Sequence, residues 1–170
     1  MGGTVSVAEL GPLARVAMAD TDAAPRFMDS DQFAMLGRIV DLMIPDTDTP
    51  GAYKTGVHRF IDMMLTEYAS EDSRAMFLEG LAYVGNASRD RRGAAFVELP
   101  AQDQFEVLSA VDNEAFENRD TSGAYRRLKG MILFGYYTSE TGASVELRFN
   151  PIPGTTPGCV PVDTFDRAPY

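Results

Sequence analysis

The chain has no tryptophan, one cysteine (Cys159) and one histidine (His58) among its 170 residues. A lone cysteine cannot close an internal disulfide. One Cys and one His also fall short of the several nitrogen and sulfur ligands that zinc sites use, and the C-x-x-C-H motif for covalent haem is missing. Positive charge is scarce: 15 Lys and Arg stand against 25 Asp and Glu, giving a net charge of −10. That balance argues against nucleic acid, whose phosphates are gripped by clustered cations that release counterions. It also argues against an anionic membrane surface. No apolar run approaches the roughly 20 residues of a membrane-spanning helix. A P-loop, a dinucleotide-binding fingerprint and a G-x-S-x-G elbow are all absent, so no flavin or nicotinamide site is expected on this chain alone. The odd cysteine has two readings that composition leaves open. In an exported protein it suggests pairing with another chain, and in the cytosol it is more often a small buried hydrophobe.

What is present reads as one globular domain, with 45% hydrophobic and 24% charged residues. Residues 1–29 are rich in Ala, Gly and Asp and suggest an extended or partly helical arm. "AMA" (Ala17–Ala19) has the look of a signal-peptidase site. However, Glu9, Gly11, Pro12 and Arg15 before it form no apolar stretch, and no twin arginine precedes it. From residue 30 the period turns helical. Phe33, Leu36, Ile39, Val40, Met43 and Ile44 follow three-four spacing behind a cap at Asp29 or Ser30, and Pro45 stops the run. A second helix carries Val57, Phe60, Ile61, Met64, Leu65 and Tyr68. A third, capped within "SEDS", carries Met76, Phe77, Leu81 and Val84. A fourth follows Pro100 with Phe105, Leu108, Val111 and Phe116, and a fifth, capped by Thr121 or Ser122, carries Tyr125, Leu128, Ile132 and Leu133. Prolines 151, 153, 157, 161 and 169 rule out helix beyond. The expected architecture is all-α: about five helices over residues 30–141, then an extended Pro/Gly-rich tail over residues 142–170. The apolar residues of that tail pack it on its own domain or on a partner.

Candidate chemistry is thin. "DTDTPG" (Asp46–Gly51) opens like a calcium loop, but Pro50 takes one ligand position and Val57 stands where the bidentate Glu belongs, so it reads as a turn. His58 lies off the apolar stripe and reads as a surface or interface residue. A catalytic version would take Asp62, one turn on, as its orienting acid. Pairs such as Glu67 with Glu71 and Glu114 with Glu117 suit a solvated face. The methionines read mostly as core filler. Arg126, Arg127 and Lys129 form a small basic cluster on the fifth helix. It either grips an acidic partner or complements the helix dipole near its end.

Three stretches carry more. "IVDLMIPDTDTPGA" with "GVHRFIDMML" close behind, "RLKGMILFGYYTSETGA", and "PIPGTTPGCVP" occur in an order and separation that resembles the gluconate 2-dehydrogenase subunit 3 family. The resemblance spans roughly Gln32 to Val162, and Thr141 stands where an apolar residue is expected. It implies the small gamma subunit of a bacterial FAD-dependent sugar dehydrogenase, without a redox centre of its own. It also implies a flavoprotein catalytic partner of the glucose-methanol-choline type, which holds FAD and often an iron–sulfur cluster and passes electrons to a cytochrome or an artificial acceptor. It further implies a role in maturing, exporting and stabilising that partner in the periplasm, through a twin-arginine signal that is not visible here.

On that resemblance Tyr136, Tyr137, Ser139, Glu140, Pro153, Gly154, Cys159 and Pro161 are the expected partner interface: the first four pin the start of the tail, with one tyrosine facing the catalytic subunit or, in the alternative, both tyrosines locking the tail onto their own domain, and Cys159 is a candidate intersubunit disulfide. Two other classes remain open at this level. One is a stand-alone small enzyme using carboxylates near His58, and the other is a chaperone that leaves once its client is assembled.

Overall fold

A computed structural model describes residues 24–118 and 123–147. Among them the chain is helical and has no strand. The principal elements are α1 (Ser30–Met43), α2 (Val57–Glu67), α3 (Glu71–Arg92), α4 (Ala101–Glu117) and α5 (Gly123–Tyr137). A 3₁₀ turn at Phe96–Glu98 precedes α4, and a single π-helical turn, Gly142–Glu146, follows α5.

The helix ends follow local chemistry. Asp29 caps α1 in a reciprocal box: its carboxylate accepts the Gln32 N–H at 2.8 Å, and the Gln32 side-chain oxygen accepts the Asp29 N–H at 3.2 Å. Ser70 caps α3. Gly93, at φ 73°, closes α3 in the left-handed conformation that only glycine adopts cheaply. At the far end of α2, Arg74 donates to the carbonyls of Leu65 and Thr66 at 2.6 and 2.7 Å, satisfying acceptors that the helix leaves over. The suspected calcium loop is a turn: the Asp46 carboxylate accepts the Gly51 N–H at 2.7 Å and pairs with Lys54.

The core gathers Leu36 and Val40 of α1, Ile61 of α2, Phe77 of α3, Val111 of α4 and Ile132 of α5, all essentially inaccessible to water. α3 lies against both α4 and α5. The approach to α5 is close: a Cβ on Gly80 would stand 2.6 Å from the Ala124 carbonyl oxygen.

Four expectations from the sequence need adjustment. Within the expected arm, residues 26–28 are held to the domain: their N–H groups bond to Asp62, and Met28 is buried with the core. Helical structure runs on to Glu146, so the first residues assigned to the extended tail are a turn of helix. Phe105 and Phe116 are exposed, because α4 turns its 104, 107, 108, 111 and 115 face inward and these two rings project about 100° to one side of it. Finally, Lys129 serves no dipole. It clamps the Asp112 carboxylate of α4 at 2.6 and 2.8 Å, and Arg126 and Arg127 sit in the first half of α5. The expected caps Thr121 and Ser122 lie outside the described residues.

Candidate functional site

The "GYYTSETG" stretch ends α5 and is used mostly inward. Successive residues on an α-helix are turned about 100° from each other, and Tyr136 and Tyr137 divide accordingly between the buried and the open side. Tyr136 is 1% exposed and its hydroxyl donates to the Pro50 carbonyl at 3.0 Å, tying α5 to the turn between α1 and α2. Tyr137 is 39% exposed and meets the Tyr136 ring edge-on at 5.3 Å. Ser139 is buried: its hydroxyl donates to the Tyr136 carbonyl at 2.6 Å and accepts the Gly142 N–H at 3.0 Å. Gly142 has to be glycine, since a Cβ there would fall 2.0 Å from the Tyr136 oxygen. The Thr49 hydroxyl donates to the Glu146 carboxylate at 3.0 Å and fastens the π turn to the same loop.

Of the expected interface residues, Tyr136 and Ser139 are therefore spent on fixing the chain's own course after α5. Tyr137 and Glu140 remain on the surface. Pro153, Gly154, Cys159 and Pro161 lie outside the described residues. Tyr136→Phe removes the hydrogen bond to the Pro50 carbonyl and should lower stability by about 1 kcal/mol in urea unfolding.

His58 corrects the sequence reading more sharply. It is 4% exposed, not a surface residue. Its ring stacks on Tyr53 (centroids 4.5 Å, planes 4° apart) and leans against Phe33 at 5.2 Å. Neither contact can be read from the helix period, because Tyr53 comes from the preceding loop and Phe33 from α1. The imidazole lines a cleft of about 330 Å³ with Phe33, Gly37, Arg38, Asp41 and Tyr53. Burial pulls its pKa from 6.5 down to about 4, with the charge of Arg59 adding to the effect. Its Nδ1 is buried and has no hydrogen-bond partner among the described residues.

A general base needs an acid to orient it. Asp62 is otherwise engaged: one carboxylate oxygen accepts the N–H groups of Phe27 and Met28 at 3.1 Å each, and the other accepts that of Arg26 at 2.7 Å. This carboxylate cradle was missed by sequence reasoning. Its donors are backbone groups more than thirty residues upstream, and they leave no trace in side-chain identity.

The family model for gluconate 2-dehydrogenase subunit 3 matches residues 30–154, which is most of the chain. The chain belongs to that family. No curated protein and no solved structure matches it. The match to gluconate 2-dehydrogenase subunit 3 covers α1 through α5, the Tyr136–Ser139 lock, the first two of the three sequence stretches and residues 151–154 of the third, in agreement with the resemblance. Membership makes the chain a subunit of a multi-subunit dehydrogenase. No described helix is long and apolar enough to cross a membrane.

Proposed function

We propose that this chain is the non-catalytic gamma subunit of a periplasmic FAD-dependent sugar dehydrogenase, needed to mature, export and stabilise its flavoprotein catalytic subunit. FAD, and an iron–sulfur cluster where there is one, belong to that partner, which hands electrons on to a cytochrome. Besides family membership, one observation carries the reading. Tyr53, Tyr68, Phe105, Phe116, Phe134 and Tyr137 are between 39% and 78% exposed on a domain that already has a packed core. Large aromatics are costly to leave in water and are over-represented where another protein docks. His58 supports the same reading from the other side, since its candidate acid is bound to backbone and its ring is fixed in an aromatic stack.

The test is to purify the tagged chain from its native host without reductant and record its visible spectrum. Flavin absorbance with a stoichiometric second protein is the expected result. A colourless lone chain would overturn the stable-subunit reading in favour of a chaperone that departs, and sugar oxidation by the isolated chain would overturn the non-catalytic one. Cys159 is proposed to bond covalently to the partner in the oxidising compartment. Cys159→Ser should then abolish a covalent heterodimer on a non-reducing gel. Persistence of that band in the variant would refute the bond.

A further inference from the structure

The exposed residues of α5 fall on one stripe. Arg127, Gly130, Phe134 and Tyr137 recur at three- and four-residue spacing and are all exposed, while Tyr125, Leu128, Ile132 and Tyr136 are buried on the other side. Beside the stripe runs a groove of about 570 Å³ between α5 and the end of α2, walled by Met64 and Tyr68 opposite Gly130 and Phe134. Phe134 is 57% and Tyr68 62% exposed, so two large rings flank an open apolar channel.

Two further observations say what fills it. The first is charge. The chain carries a net −10, yet among the described residues the charged ones lining this groove are Arg126 and Arg127, both cationic. Their placement early in α5 gains nothing from the helix dipole, which favours acids at that end. The second is Gly130. It sits mid-helix, where glycine is unfavourable relative to alanine, and a Cβ built on it meets nothing within 4 Å. Gly80 and Gly135, in contrast, would each drive a Cβ against a neighbouring element. No described part of the fold therefore requires glycine at 130, whereas a second chain approaching the α5 backbone does.

The geometry points to this groove as the seat of an apolar segment of the flavoprotein catalytic subunit, with carboxylates directed at Arg126 and Arg127, its backbone drawn close at Gly130, and its far end against Tyr137. This rests on the gamma-subunit reading and adds to it the surface and the chemistry of the partner's segment.

The test uses the complex recovered from the native host through tagged wild-type, Gly130→Leu and Arg127→Glu chains, with each isolated chain's melting temperature as the control for folding. Gly130→Leu fills the groove from its floor without touching the core, and Arg127→Glu reverses the rim charge. Both should keep melting temperatures within a few degrees of wild type and recover at least about tenfold less flavoprotein. Gly130→Ala should raise the isolated chain's melting temperature by about 2 °C, as for any exposed mid-helix glycine that the fold does not need.

If wild type and both variants recover flavoprotein equally, the groove is not the interface and the subunit reading survives. If wild type recovers none, both readings fall. If the isolated wild-type chain dimerises and Gly130→Leu makes it monomeric, the occupant is a second copy and the proposal is overturned.

Discussion

Asp62→Ala is expected to lower the unfolding free energy by about 3 kcal/mol, measured as a shift of the urea midpoint at unchanged slope. The carboxylate is 4% exposed and accepts three backbone N–H groups from Arg26, Phe27 and Met28. All three donors lose this acceptor in the variant, and the hydrogen bond from Met28 is the buried one. Were the segment to peel away, it would expose Met28 and free Phe27, whose ring lies under the Arg74 guanidinium at 5.6 Å. Arg26 would also lose its hold on Glu67 at 2.6 Å, a surface pair that contributes little by itself. Asp62→Asn keeps the shape and an oxygen for two of the three donors, so it should cost clearly less than alanine. Hydrogen exchange supplies the local reading: the amides of residues 26–28 should lose protection in the alanine variant while those of α3 follow global stability. A midpoint for Asp62→Ala within 1 kcal/mol of wild type would show the cradle to be incidental.

The second large effect is a pH dependence centred on His58. Its folded pKa, about 4, lies below the unfolded value of 6.5, and burial is the main cause. Between those two values the unfolded chain therefore binds more protons than the native one, and stability rises with pH. The contribution is complete above pH 6.5 and is lost as pH falls toward 4, amounting to at most about 3 kcal/mol. The charges around the ring fit this direction: Arg59 repels a second positive charge, and Arg38 is engaged with Asp41 and Gln104 along the same cleft.

His58→Phe keeps an aromatic between Tyr53 and Phe33 and removes both the titration and the buried Nδ1. Urea midpoints of wild type and variant at pH 7.5 and pH 4.5 make the test, because acid titration of the carboxylates is common to both chains. Wild type should lose more stability over that interval than His58→Phe. Parallel losses would mean that the imidazole does not stay neutral in the acid range.

These two residues also show where the sequence stops being informative. His58 and Asp62 are four residues apart, and a helix places such a pair on one face, so a catalytic version of His58 would take Asp62 as its acid, although His58 reads first as a surface or interface residue. The fold separates their roles. Asp62 turns to a backbone segment more than thirty residues upstream, and His58 is enclosed by rings from a loop and from α1. Neither partner is within reach of a local pattern. Phe105 and Phe116 make the same point on α4: apolar identity and near-helical spacing suggested core, while the side of the helix that found neighbours lay about 100° away. Tyr136 and Tyr137 could be singled out by composition, but which of them faced inward waited on the turn at Pro50.

Taken by itself, the sequence determined what depends on a few consecutive residues. The Asp29 and Ser70 caps, the stop before Pro45, the start after Pro100, the all-α character and the family's three stretches all belong to that class. The physical reason is range: helix hydrogen bonds and caps close within three or four positions of the chain. Only the tertiary structure decided that His58 is buried, that Asp62 holds an N-terminal segment, and that Gly130, Phe134 and Tyr137 share an open stripe. Burial and unsatisfied surface are properties of how distant elements meet, and no window along the chain contains both sides of those contacts.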